Sequence, residues 1–319
     1  MVVQTTVELT LNSRCSSGRG HWGVFDESKQ LDSHQIDLVK KATQIPRFTN
    51  RRLFLDFSSD PILIAVEPGV TGIEEDWLHV ESGMQQQAIY LACAALGIGT
   101  CIHNVGIDGA LIDDMHATAR MVIKPIHPPY SGSYWTSSRP RPWLGGNLSD
   151  PDLRGKMPFF EAIERASTVS EGIKSGLREI SQLLWAARGR TPHEYRGRKW
   201  GMTIPTWAGG QNYTSVHLLS GNGLYEYINW RGNAPVHRIE RLRNVDIQSI
   251  SPGCTNCIIL STNERTKRAL WEIGYMLENI ILQATALGVK YEVKMLGHEE
   301  KRRLIPLGLS SAVTAVRLF

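Results

Sequence analysis

The chain has 319 residues, 42% of them hydrophobic and 21% charged, with a net charge of +4. That length and apolar content fit a globular protein of about two domains, and the mild, evenly spread positive charge excludes the dense basic stripe of a nucleic-acid binder. No apolar run reaches the roughly 18 residues that span a bilayer.

The N-terminal "MVVQTTVELTLNSR" has neither a basic region nor a long apolar run, so a secretory signal is not expected. Five cysteines without framework spacing point to reduced thiols and a cytoplasmic protein. In chain order, "HQIDLVKKATQIP" (34–46) reads as an amphipathic helix followed by Ile45-Pro46, and "PILIAV" (61–66) as a strand. "ESGMQQQAIYLACAALGIGT" (81–100) is a buried helix stopped at Leu96-Gly97 by glycine's access to positive φ. Residues 127–158 are rich in Pro, Gly and Ser and lack periodicity, which marks a connector. "LREISQLLWAARGR" (177–190) is a second amphipathic helix, followed by Ile204-Pro205, and two strands flank the turn "SGNG" (220–223). Arg188, Arg190, Arg196, Arg198 and Lys199 form a charge run expected to be a solvated loop. Cys254 and Cys257 have CxxC spacing, but a strand-like "CIILS" follows where redox chemistry needs a helix N-terminus, and half of a zinc ligand set is missing, so their expected role is structural.

The last helix, "IGYMLENIILQATALGVKYE" (273–292), repeats the one at 81–100. Aligning Gly83 with Gly274 makes six of 17 positions identical without a gap, ending in Leu96-Gly97 and Leu287-Gly288. The order helix, Ile-Pro, strand, helix, Leu-Gly therefore occurs twice, with the second copy longer by about 32 residues. The expected organisation is a trimmed repeat over 1–126, a connector over 127–158 and a full repeat over 159–319, in an α+β fold. Gly83, Ala88, Ala92 and Ala95 are small enough to let the two helices pack closely.

Residues 155–319 resemble the nitroreductase superfamily, above all the SagB-type dehydrogenases that oxidise azoline rings to azoles in modified peptides. The resemblance is carried by Leu183 to Ala187 ("LLWAA"), Pro205 to Gly209 ("PTWAG"), Gly223 to Tyr227 ("GLYEY") and Glu278 to Gly288 ("ENIILQATALG"). Over 1–125 it rests mainly on 81–100. It implies a nitroreductase-like fold with mixed or antiparallel sheets flanked by helices. These proteins are usually homodimers holding FMN between subunits, so two tandem copies would form that dimer within one chain.

The resemblance also implies site residues. An Arg-x-Ser-x-Arg segment commonly contacts the FMN phosphate; here Arg165 and Ser167 match two positions with Val169 at the third, and Arg14 and Ser16 match in the first copy with Gly18 third and Arg19 one place late. Guanidinium is a planar fork suited to phosphate. Thr206, Ala208, Gly209 and Gly210 occupy the loop expected beside the flavin, where glycine lets the backbone approach closely. The first copy has "PRFTNRR" there, without glycine, so a single surviving site is expected to use the second copy's loop. Lys290-Tyr291 directly follows the second Leu-Gly, and azoline-oxidising relatives use a Lys-Tyr pair near the flavin for proton removal, a role a desolvated lysine can fill. No metal site is expected, and "GRGHWG" (18–23) is no dinucleotide fingerprint.

The expected function is an FMN-dependent oxidoreductase acting on a peptide-derived or small heterocyclic substrate. Two alternatives stay open: an NAD(P)H-driven reductase of the same fold, and a flavin-free, non-catalytic subunit serving partner enzymes of a biosynthetic complex. No nucleic acid and no membrane are expected as partners.

Overall fold

A computed structural model describes residues 5–13, 28–58, 62–103, 111–112, 115–125, 146–191, 194–195, 198–199, 201–205, 213–232 and 234–319. The first half carries α1 (Val7–Ser13), α2 (Ser33–Ala42), β1 (Leu53–Asp56), β2 (Ile62–Val66), α3 (Ile73–Leu96), β3 (Ile98–His103), β4 (Leu111–Ile112) and β5 (Met115–Pro125). The second half begins with α4 (Phe159–Arg165), β6 (Val169–Ser170), α5 (Leu177–Arg188), and the short β7 (Glu194–Tyr195) and β8 (Arg198–Lys199). It continues through β9 (Thr214–Ser220), β10 (Gly223–Arg231), β11 (Ala234–Asn244), α6 (Ile247–Ile250), β12 (Asn256–Thr262) and α7 (Lys267–Leu287). It ends with β13 (Tyr291–Met295), α8 (His298–Leu304) and β14 (Ala312–Leu318).

Local chemistry sets these boundaries. Asp32 caps α2 by accepting from the Gln35 amide at 2.8 Å while the Gln35 side chain accepts from the Asp32 amide, a capping box. Both long helices stop at a glycine in the left-handed region, Gly97 (φ 70°) and Gly288 (φ 64°). Gly221 at φ 55° makes the two-residue turn joining β9 to β10. β12 is buried along its whole length, as a central strand must be.

The two sheets share a plan. The first runs β1-β2-β5-β3, with β4 also on β5; the second runs β11-β10-β9-β12-β14-β13-β6. The stretch β9-β12-β14-β13 matches β1-β2-β5-β3 place for place, and every one of these pairings is antiparallel. β10 and β11 hold most of the additional length of the second half. The α+β class read from the sequence is the class observed.

Between the sheets, α3 and α7 run side by side in the same direction: Asp76 meets Arg265, Gly83 meets Trp271 and Gly274, and Gln87 meets Asn279. A methyl group on Gly83 would lie 2.7 Å from the Trp271 Cα; one on Gly274 would lie 2.7 Å from the Met84 nitrogen and 2.8 Å from the Gly83 Cα, with the Val80 carbonyl also in its way. Under the register that puts Gly83 on Gly274, Val80 falls on Trp271, so the two contacts are reciprocal, as in an isologous interface. Two amides buried at the crossing are tied together: Gln87 Nε2 donates to Asn279 Oδ1 (2.8 Å) and the Thr203 carbonyl (3.0 Å), and Asn279 Nδ2 donates to the Ala186 carbonyl (2.9 Å).

Residues 146–158, the described end of the expected connector, touch both halves: 147–152 bond to the second half, and the Met157 carbonyl accepts from the Val7 amide of α1 at 3.2 Å. Asn147 exchanges two hydrogen bonds with the Ile239 backbone, and the Asp152 amide donates to Gln182 Oε1 at 2.9 Å. No helix among the described residues is long and apolar enough to cross a membrane.

Candidate functional site

The second sheet has two ends, and the expected site residues that are described lie at one of them. Ser220 pairs with Asn256, Asn256 with Leu318, Leu318 with Tyr291 and Tyr291 with Ser170, which makes one row across the sheet. Thr214, at the start of β9, pairs with Thr262 at the opposite end. Six residues of strand and three strand spacings separate Thr214 from Tyr291, on the order of 25 Å at about 3.3 Å per residue and 4.8 Å per strand.

Arg165, Ser167, Lys290 and Tyr291 belong to the Tyr291 end. The phenol of Tyr291 donates to the Ser167 carbonyl at 3.0 Å and lies 3.1 Å from Thr285 Oγ1. Tyr291 is fully buried, and burial raises its pKa above the ordinary phenol value. Lys290 projects oppositely, as adjacent strand residues must, and its ammonium lies 3.2 Å from Glu171 and over the Phe319 ring. The Lys-Tyr pair expected to handle a proton is therefore split by strand alternation, with Tyr291 tying down the Ser167 segment from inside. The Arg165 side chain is 61% exposed and paired with Glu161 one helical turn back. Such exposed pairs are worth about 0.3–0.5 kcal/mol, so the guanidinium is readily given up to an anion. Ser167 Oγ faces the Val169 amide at 3.5 Å. Next to Arg165, Glu164 pairs with Lys41 of α2, so this end of the second half abuts the first half.

The other end is built around Arg188. Thr206, Ala208, Gly209 and Gly210 lie outside the described residues, as do Arg14 and Ser16. Of the described residues flanking that loop, Thr203 to Pro205 and Thr214 are buried and Tyr213 is half-buried. Arg188 is buried too, donating through Nη1 to the Thr214 carbonyl and, at 2.6 Å, to Thr214 Oγ1. Thr214 Oγ1 in turn donates to Glu272 Oε2 at 3.2 Å. Burial lowers the Arg188 pKa and the Glu272 charge works against that shift. Arg190 lies over the Trp230 ring, 4.6 Å from its centroid, and burial brings its pKa down to about 10. The solvated charge run expected here is corrected for Arg188 and Arg190: both guanidiniums leave water because an acidic partner and an aromatic face receive them.

Cys254 and Cys257 are buried; Cys254 Sγ contacts the Ser251 carbonyl at 3.0 Å, and burial pushes the Cys257 thiol up to about 12. The Cys257 thiol is therefore not a reactive thiolate at neutral pH. Ser181, His237 and Tyr227 form a chain that imitates a nucleophilic triad, with Ser181 Oγ 2.9 Å from His237 Nε2 and Tyr227 OH 2.8 Å from Nδ1. Ser181 spends its proton on the Ser149 carbonyl at 2.7 Å, and all three residues are buried, so the chain is a structural clasp. Sequence reasoning missed Glu81 and Glu272, which lie one residue upstream of the aligned repeat and match each other in its register. That coincidence was the available signal.

No family profile and no curated protein matches the chain. Among solved structures, a protein from Anabaena variabilis ATCC 29413, provisionally described as a nitroreductase, is similar at a TM-score of 0.57 and 12% identity, over 81% of this chain and 68% of its own. Two others, similarly described, come from Ralstonia eutropha JMP134 (TM-score 0.43, 22% identity, 56% of this chain and 92% of that one) and Thermotoga maritima MSB8 (0.40, 13%, 99% and 94%). At these identities the comparison speaks to architecture, and it rests on the Anabaena structure. The chain has a nitroreductase-like α+β fold.

Proposed function

We propose that the chain is an FMN-dependent oxidoreductase whose two nitroreductase-like halves form an internal dimer. Matching strand order and the reciprocal Gly83–Gly274 crossing support the internal dimer. The observation that carries the site assignment is that Ser167 and Tyr291 lie at one end of the second sheet and Thr214, which follows the glycine loop in sequence, lies at the other, together with the Lys41–Glu164 pair between halves. Each cleft then draws on both halves. In this reading Arg165 and Ser167 are assigned to one cleft, and Arg14, Ser16, Thr206, Ala208, Gly209 and Gly210, which lie outside the described residues, are assigned to the other. We assign the flavin to this second cleft, because only its loop has glycines that let a backbone approach a planar ring.

The donor set fits FMN: a guanidinium and a hydroxyl for phosphate, and glycine amides for the ring edge. Bound FMN supplies two-electron hydride chemistry. Arg14 and Ser16 would hold its phosphate, and Thr206, Ala208, Gly209 and Gly210 would lie along its ring. Lys290 becomes a cation of the Arg165 cleft and Tyr291 the group that fixes Ser167. The likeness of 155–319 to SagB-type dehydrogenases favours a peptide-derived azoline as substrate.

The test is the absorbance spectrum of purified protein after incubation with FMN and desalting, for the wild type, Arg14→Ala and Arg165→Ala. Retained flavin that Arg14→Ala abolishes and Arg165→Ala leaves in place supports the assignment. The reverse pattern moves the flavin to the Arg165 cleft. A folded protein that never retains FMN is instead the flavin-free subunit of a complex.

A further inference from the structure

Each half projects a buried glutamate from the same place on its long helix towards the chain that follows the Ile-Pro junction. The register that aligns Gly83 with Gly274 aligns Glu81 with Glu272. Glu81 is fully buried and accepts four hydrogen bonds: from Arg47 Nε (2.8 Å), the Phe48 amide (2.5 Å), the Thr49 amide (2.7 Å) and Thr49 Oγ1 (2.8 Å). These donors directly follow Ile45-Pro46. One carboxylate thus fixes a whole segment whose amides would otherwise be unsatisfied in the interior.

Glu272 is equally buried and has Thr214 Oγ1 as a donor. The neutralising cation has a different origin in the two halves. In the first half it is Arg47, from the segment itself; in the second it is Arg188, from the last turn of the preceding helix α5, and it meets Glu272 through the Thr214 hydroxyl. Arg188 Nη1 reaches both the carbonyl and the hydroxyl of Thr214, and Asn229 Nδ2 holds the Arg188 carbonyl at 2.7 Å. The second half has no arginine after its Ile-Pro until well past the start of β9, so a cation brought in from the helix leaves that segment's composition free for glycine.

We propose that Arg188 and Glu272 are a positioning pair that fixes Thr214, and with it the backbone at the base of the flavin cleft, and so sets the affinity for FMN. The ligand named here rests on the flavin reading above; the positioning role does not. Removing one member leaves the other charged and buried without its counterpart, which the local backbone must relieve by moving.

The experiment compares Glu272→Gln and Arg188→Lys with Glu81→Gln, using hydrogen exchange of the amides at 213–216 and at 47–49, FMN affinity by fluorescence quenching, and Tm. Glu272→Gln is expected to speed exchange at 213–216 at least tenfold, leave 47–49 unchanged and raise the FMN Kd at least tenfold. Arg188→Lys, which keeps the charge but loses the fork, is expected to fall between it and the wild type, and it remains informative if Glu272→Gln fails to fold. Glu81→Gln is expected to do the reverse, loosening 47–49 with less than a twofold change in Kd. Unchanged exchange at 213–216, or equal losses of affinity in Glu81→Gln and Glu272→Gln, would overturn the pair's role. Faster exchange at 213–216 in a protein that takes up no FMN would keep the pair and remove the flavin reading.

Discussion

Replacing Glu278 with glutamine should stabilise this protein, and by an amount that depends on pH. Glu278 lies on α7 with no exposed surface, and neither carboxyl oxygen has a hydrogen-bond partner. Burial therefore raises its pKa from 4.5 to about 8. In the unfolded chain the group ionises freely above its ordinary pKa, whereas the folded state must keep the proton. The unfolded state thus releases protons first, and stability falls as pH rises from 4.5 until the folded pKa is passed. At about 1.4 kcal/mol per unit, the cost is about 1 kcal/mol at pH 5, about 3 at pH 7 and between about 4 and 5 at pH 9. Glutamine keeps the shape of the protonated acid without the ionisation, and the first half already has Gln87 at the matching position. The assay is urea unfolding of wild type and Glu278→Gln at pH 5, 7 and 9, comparing midpoints at constant m. The variant should gain little at pH 5 and most at pH 9. A gap that does not change with pH, or a variant less stable at pH 7, would mean that the carboxylate has a partner and would refute the reasoning.

Three other outcomes are expected. Gly83→Ala puts a methyl group into the backbone of α7 and should cost about 2–3 kcal/mol after the helix-propensity gain; a Tm equal to or above the wild type's would show that the crossing is looser. His79, His217 and His237 are buried, with burial lowering each pKa from 6.5 to about 4. The unfolded state therefore binds protons first, and stability should drop as pH falls from 6.5 towards 4, by about 3 kcal/mol per histidine at the lower limit. Chemical unfolding of His237→Gln across that window should show a shallower acid slope, and an unchanged slope would assign the loss elsewhere. Arg265→Ala removes a two-pronged contact to Asp76 from a side chain that is 63% exposed, so a Tm change of only a few degrees is expected; a collapse of the fold would show that Asp76 cannot be left alone.

Local signals in the sequence translated into structure. The two Leu-Gly ends, the Gly221 turn and the amphipathic helices α2 and α5 depend on backbone conformation and periodicity within a few residues, and each lies where it was expected. The small residue Gly83 proved to be a contact between helices because its match, Gly274, sits opposite it. What could not be read was non-local. Lys290 and Tyr291 are adjacent in sequence, yet strand alternation sends one into the core and the other to solvent. Thr214, which follows the glycine loop in sequence, and the Arg165 segment belong to the same half, yet sheet register sets them at opposite ends. Arg188 read as part of a solvated run because the glutamate that draws it inside lies 84 positions away. Nothing in the sequence singles out Glu81, and only the fold reveals four donors around it.

The central claim is that one chain supplies both halves of a flavin-binding dimer. Native mass spectrometry of the purified protein with FMN tests it in a single spectrum. The expected result is a single chain of 35.7 kDa carrying one FMN. A chain that binds flavin only as a dimer of two polypeptides, or a folded monomer that binds none, would contradict it.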